Sequence, residues 1–112
     1  MTSANTVVPK NNLRSFFQSQ LALEAERQRY SIRRVEFLGN DYTRDNILRR
    51  RIPGLQEGEV FTRAILASNL ASLSRLRIIR PVQTEAVDLD LDPRNRLIDI
   101  MIEVIERRAS RR

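Results

Sequence analysis

Hydrophobic positions change their period twice along this chain. From Ile32 to Leu38 they alternate, with Val35 and Phe37 on one face and Arg34 and Glu36 on the other, which predicts a short strand. Gly39 and Asn40 are the residues best able to take positive φ, so they predict a sharp corner that ends the strand. Helical spacing then begins after Thr43, an N-cap candidate, with Asp45 in the first turn where a carboxylate favours the helix dipole. Ile47, Leu48 and Ile52 are expected to face a core, with Arg49, Arg50 and Arg51 outward or snorkelling, and "IPG" at 52–54 stops this helix after barely two turns. Gly58 marks a turn in the connector "LQEGEVF", and Phe61 is the expected hydrophobic plug behind it. Thr62 is placed to cap the clearest helix in the chain, on which Ile65, Leu66, Leu70, Leu73 and Leu76 recur at helical spacing. Pro81 prevents that helix from running on.

After Pro81 the period becomes two. Val87, Leu89 and Leu91 alternate with Asp88, Asp90 and Asp92, and "LIDIMIEVIE" places Ile98, Ile100, Ile102 and Val104 on one face. "DPRNR" between them is a turn, with Asn95 able to take a left-handed conformation, so the two segments should form an antiparallel hairpin. The last strand carries apolar residues on both faces, Leu97, Met101 and Ile105 beside the Ile98 set, which suits the centre of a sheet. The charged segments Ile32–Leu38 and Val82–Leu91 suit its edges. The first strand is then parallel to the last through a right-handed helical crossover. These readings predict an α+β fold of order β-α-α-β-β: a three-stranded mixed sheet with the last strand central and two helices on one face.

Residues 30–106 are the domain so predicted. Residues 1–29 are an N-terminal arm: 1–11 read as a disordered lead, and Leu13, Phe16, Phe17 and Leu21 suggest an amphipathic helix within 12–29. Whether that helix packs on this domain or on a neighbouring module is left open, since periodicity alone names no partner. Residues 107–112 form a basic tail.

Composition narrows the chemistry. The 112 residues have room for one core. Neither Cys nor His is present, which removes disulfides, the usual zinc and haem ligands, and the commonest catalytic base. The net charge of +6 points toward nucleic acid until it is located: residues 30–106 carry twelve Arg and twelve acids, so the surplus lies in the ends. Asp88, Asp90 and Asp92 have the spacing that opens a calcium-binding loop, but Pro93 stands where its glycine is required and Asp99 where a bidentate Glu is required. They read instead as the solvated face of a strand. "RRR" at 49–51 and "RRASRR" at 107–112 lack a glycine-rich phosphate loop, and Glu57 and Glu59 lie in a polar connector, so neither group supports phosphate recognition or acid–base work. No cofactor or metal is expected. No apolar run approaches the length of a membrane span, and a start downstream of an export signal in a longer parent would look the same.

The ordered set of segments resembles a polypeptide-transport-associated (POTRA) domain of outer-membrane β-barrel assembly and translocation proteins. The resemblance is carried by "IRRVEFLGN", "TRDNILRRRIPGLQEGEVFT", "LASNLASLSRLRIIRPVQ" and "LIDIMIEVIERR", over about Tyr30 to Arg107. Arg77 departs from it, standing where the family often has Gly; either it adopts a left-handed conformation or the helix ends earlier. The resemblance implies a periplasmic, non-catalytic scaffold. Its expected partners are unfolded outer-membrane protein segments or accessory assembly proteins, and neighbouring POTRA domains or a β-barrel of the same parent chain. A single domain of this type in cell-division proteins and a small basic nucleic-acid-binding module are the alternatives. The expected mechanism is strand addition at the unpaired edge, Gln83, Thr84, Glu85, Ala86, Val87, Asp88 and Leu89, beside the second domain helix. Gly39, Asn40 and Gly58 are the expected structural turns. The mechanism requires "LIDIMIEVI" to be central and the edge not to be sealed by the Phe16–Phe17 arm.

Overall fold

The computed structural model describes the backbone of residues 10–107 and the side chains of residues 17–107. Expectations for residues 1–9, for the Leu13 and Phe16 side chains and for the tail beyond Arg107 lie outside the described residues. Elements run α1 (Lys10–Arg27), β1 (Ser31–Leu38), α2 (Asp45–Arg49), α3 (Arg63–Leu73), a one-turn 3-10 helix (Thr84–Ala86), β2 (Val87–Asp92) and β3 (Leu97–Glu103).

The sheet order is β1-β3-β2. β1 lies parallel to β3, with Val35 opposite Ile100 and Phe37 opposite Ile102, and β2 lies antiparallel to it, with Leu89 also opposite Ile100. The expected α+β sheet with a central last strand is therefore present. The alternation sets its buried face: Ile32, Val35, Phe37, Val87, Leu89, Ile98, Ile100 and Ile102 point into the core, where Leu66, Leu70 and Leu73 of α3 and the fully buried Leu48, Ile52, Leu55 and Phe61 join them. Burying one such aliphatic or aromatic side chain contributes about 1.5–3 kcal/mol, so a core of this kind holds two short helices that propensity alone would not.

The local signals divide. Thr62 caps α3, its hydroxyl accepting from the Ile65 N–H at 3.0 Å. Thr43 caps nothing: the N-cap of α2 is Arg44, without a side-chain bond, because the buried Thr43 hydroxyl is directed to Glu106 instead. α2 is a five-residue helix, and Ile47, 38% exposed, faces outward while Leu48 and Ile52 are buried. At the corner only Gly39 has positive φ, 89°; a Cβ there would run into the Val104 carbonyl. Asn40 serves through its side chain, whose Nδ2 donates to the Thr43 carbonyl at 2.9 Å and to Asp45 at 3.2 Å. In the hairpin turn the left-handed residue is Arg96, φ 53°, in place of Asn95, which binds the Asp92 carboxylate. α3 ends at Leu73, and Arg77 is not among the positive-φ residues, so the helix stops early.

α1 packs on this domain, touching β2 and α3. Among its described side chains, from residue 17 on, Ala22 and Ala25, with no place in the expected apolar stripe, are the buried ones, while Phe17 is 59% exposed. Its end is a left-handed cap: Arg29 has φ 57°, and the Tyr30 N–H donates to the Ala25 carbonyl at 2.9 Å.

Candidate functional site

A three-stranded open sheet has two borders, and here they differ. At the start of β1 the connector closes the border: the Gly58 N–H donates to the Ile32 carbonyl at 2.8 Å, the Ile32 N–H to the Glu59 carbonyl at 2.8 Å, and the Phe61 N–H to the Tyr30 carbonyl at 2.9 Å. Farther along, Arg49 donates to the Val35 carbonyl at 2.6 Å and stacks 5.4 Å from the Phe37 ring centre. Gly58, φ 91°, makes the turn that brings the connector there, with open space around it.

β2 forms the other border. Backbone groups of an antiparallel edge strand face outward at every second residue. Leu89 N–H is engaged outside the ladder, so Val87, Leu89 and Leu91 present their groups outward. Three devices blunt this border. The Val87 N–H is taken by the Thr84 carbonyl. The Leu89 N–H donates to Gln18 Oε1 of α1 at 2.7 Å. Asp88 and Asp90 put exposed carboxylates along the sheet's open face, which discourages indiscriminate pairing. The Val87, Leu89 and Leu91 carbonyls and the Leu91 N–H remain outward.

Of the residues expected at the edge, Val87, Asp88 and Leu89 lie in β2. Gln83, Thr84, Glu85 and Ala86 do not: Gln83 is extended, and the next three residues form the 3-10 turn, closed by the Ala86 N–H to the Gln83 carbonyl at 2.9 Å. The reason lies upstream. Ser74 Oγ accepts from the Val82 N–H at 2.8 Å and donates to the Leu70 carbonyl at 2.8 Å, which fastens the incoming chain to the end of α3 away from the ladder.

Between α1, α3 and β2 lies a cavity of about 340 Å³, lined by Gln18, Ser19, Ala22, Arg63, Leu66, Ala67, Thr84, Glu85, Val87 and Leu89. Glu26 holds the back of α1 to the start of α3: its Oε1 accepts from the Arg63 backbone N–H at 2.8 Å and side-chain Nε at 3.1 Å. These Arg63 bonds keep the Glu26 carboxyl below its ordinary pKa. Gln18 and Glu26 were illegible in the sequence, since a polar helical residue gives no sign of the backbone group it will meet.

A second surface surrounds the exit of β3. Tyr42, Ile47, Ile78 and Ile105 are exposed around a shallow cleft of about 800 Å³ that also includes Glu106 and Arg107. The Glu106 carboxylate accepts from the Thr43 hydroxyl at 2.6 Å and the Tyr42 N–H at 2.8 Å, and these bonds hold its pKa below the ordinary value. Among the described residues no cluster of carboxylates could hold a metal ion, and no helix is long and apolar enough to cross a membrane.

The profile of the POTRA family, described as a surface antigen variable number repeat, matches residues 30–107. The chain belongs to the POTRA family. Among solved structures it is similar to BamA from Haemophilus ducreyi lacking POTRA domains 1–3, with a TM-score of 0.60 and 19% identity over 94% of this chain. It spans 25% of that relative's length, a likeness that establishes the fold. No curated protein sequence matches it. The POTRA match begins at Tyr30, so α1, with its Gln18 contact to the sheet border, precedes it.

Proposed function

We propose that this POTRA domain is a non-catalytic interaction module on the periplasmic side of the outer membrane, serving outer-membrane protein assembly or translocation. In this reading, extended segments of unfolded outer-membrane proteins, or of accessory assembly proteins, add as a further strand along β2. The observation that carries the reading is the asymmetry of the borders: the start of β1 is paired with residues 58–61 and Arg49 takes the Val35 carbonyl, whereas β2 keeps outward carbonyls beside an apolar groove. Backbone pairing tolerates many guest sequences, and the groove walls read alternate side chains. The exposed Asp88 and Asp90 keep capture weak, which suits a site that must release. The cleft of Tyr42, Ile47, Ile78 and Ile105 is the surface we assign to a neighbouring POTRA domain or β-barrel of the same parent chain.

The test is a ten-residue peptide of alternating Val and Thr, titrated by fluorescence anisotropy beside the same peptide N-methylated at alternate residues. Strand addition predicts saturable binding of the first and loss of binding when the donors facing β2 are methylated. Equal binding of the two would mean that side chains alone are recognised, and the reading would fail.

A further inference from the structure

Residues 30–106 balance twelve Arg against twelve acids along the chain, but the fold separates the charges. The turn from α1 into β1 carries Arg27 and Arg29, the turn from β2 into β3 carries Arg94 and Arg96, and all four are exposed. The two turns lie side by side, because the Ser31 N–H donates to the Arg96 carbonyl at 2.9 Å. Among the described residues no carboxylate pairs with any of these four side chains. The acids next to them in sequence are engaged elsewhere, Glu26 by Arg63 and Asp92 by Arg33 and Asn95. Arg29 and Arg96 also hold left-handed φ, 57° and 53°, and among the described residues no other non-glycine does. Glycine would sit there without strain, so arginine stands at both positions at a conformational cost that points to a use for its side chain.

This basic end adjoins the part of the β2 border that is still available. Gln18 holds the Leu89 N–H and the Thr84 carbonyl holds the Val87 N–H, so a guest strand finds both backbone groups of Leu91 together with the Leu89 carbonyl. β2 ends one residue later, at Asp92, and the next turn is the one that carries Arg94 and Arg96. So short a pairing yields little affinity alone, and a guest that continues past Asp92 runs over the arginines. Guanidinium forks match carboxylates two bonds at a time. The exposed aromatics, Phe17 and Tyr42, lie elsewhere, which leaves no platform here for stacking bases. Neither turn exposes a large apolar residue that would enter a bilayer.

We infer that the basic end is the second half of the guest site and selects extended segments whose apolar strand is flanked by carboxylates, the strand pairing at Leu91 and the flank lying across Arg27, Arg29, Arg94 and Arg96. The inference rests on the reading of β2 as the guest border and adds the chemistry of the guest. α1 stays seated throughout. Exposed ion pairs are individually weak and screened by salt, so capture remains reversible.

The experiment uses the full chain, the alternating Val/Thr peptide, and two versions of that peptide carrying a run of glutamates at one end or the other. The flank reaches the arginines from the peptide's N-terminus when the guest runs antiparallel to β2 and from its C-terminus when it runs parallel. One version should therefore bind about three- to thirty-fold tighter than the plain peptide at low salt, the sum of a few weak ion pairs, and the gain should be lost at about 0.5 M salt. Arg29→Gly with Arg96→Gly removes two charges where the left-handed φ suits glycine, so urea denaturation should show stability kept while most of the gain disappears. Arg75→Gln with Arg77→Gln, an equal loss of charge at exposed positions after α3, should keep the gain. Equal binding of the three peptides, a gain that survives in Arg29→Gly/Arg96→Gly, or a gain kept when the strand is N-methylated would overturn the inference while leaving the β2 reading intact. So would tighter binding of a single-stranded oligonucleotide or of phosphatidylglycerol vesicles through these arginines. If no peptide binds, the β2 reading falls and this inference falls with it.

Discussion

The Thr43 hydroxyl donates to the Glu106 carboxylate at 2.6 Å, across 63 positions of sequence. With the Tyr42 N–H on the same oxygen, this bond latches the corner after β1 to the chain leaving β3. The corner turns a strand into a helix where the next surface begins, and Glu106 fixes Tyr42, 93% exposed, in place there. Thr43→Val keeps the shape and removes the donor. It should lower Tm by about 3–8 °C, the size expected for one buried hydrogen bond in a domain of this length. Thermal unfolding by circular dichroism checks it, with Thr62→Val as the comparison at a true N-cap.

Gly39 and Gly58 both have positive φ, yet they should respond differently to alanine. At Gly39 a Cβ meets the Val104 carbonyl, whereas at Gly58 it meets nothing within 4 Å. Gly58→Ala should cost about 1–2 kcal/mol, the conformational penalty alone. Gly39→Ala should cost about 3 kcal/mol or more, since backbone must also move. Urea denaturation of the two variants measures the difference.

The pH dependence follows from carboxylates whose pKa values lie below their ordinary ones. Glu106 is held down by Thr43 and Tyr42, Glu26 by Arg63, Asp99 by Arg33, and Asp92 by Asn95 and Arg33. A group with a lowered folded-state pKa adds stability above its unfolded value, and that contribution is lost as pH falls through the folded one. Unfolding free energy should therefore decline below about pH 4.5. Without His or Cys, no side chain of ordinary pKa titrates between about pH 6 and 8, so stability there should be flat. A fall in stability between pH 8 and 6 would contradict this assignment.

The strand order was legible because one segment, "LIDIMIEVI", is apolar on both faces and therefore wants neighbours on both sides. The Thr62 cap was legible for a similar local reason: its partner is three residues away. What sequence did not disclose depends on distant groups. Thr43 looks like a cap until Glu106 arrives to take its hydroxyl, and Gln83–Ala86 look extended until Ser74 fastens Val82. Arg33 looks like an ordinary outward residue of β1, yet it sits at a register shift and reaches Asp99 at 2.9 Å and Asp92 at 3.2 Å, joining all three strands. At the candidate border, Leu89 was placed by alternation. The occupant of its N–H, Gln18, comes from the N-terminal arm, where a polar helical position names no partner.

The most direct measurement of strand addition is an isotope-edited NMR experiment on the domain with a labelled alternating Val/Thr peptide. The account predicts cross-strand contacts between the peptide's amide protons and the backbone of Val87 to Leu91. Contacts confined to the cleft of Tyr42 and Ile105, or to the β1 border at Ile32, would contradict it.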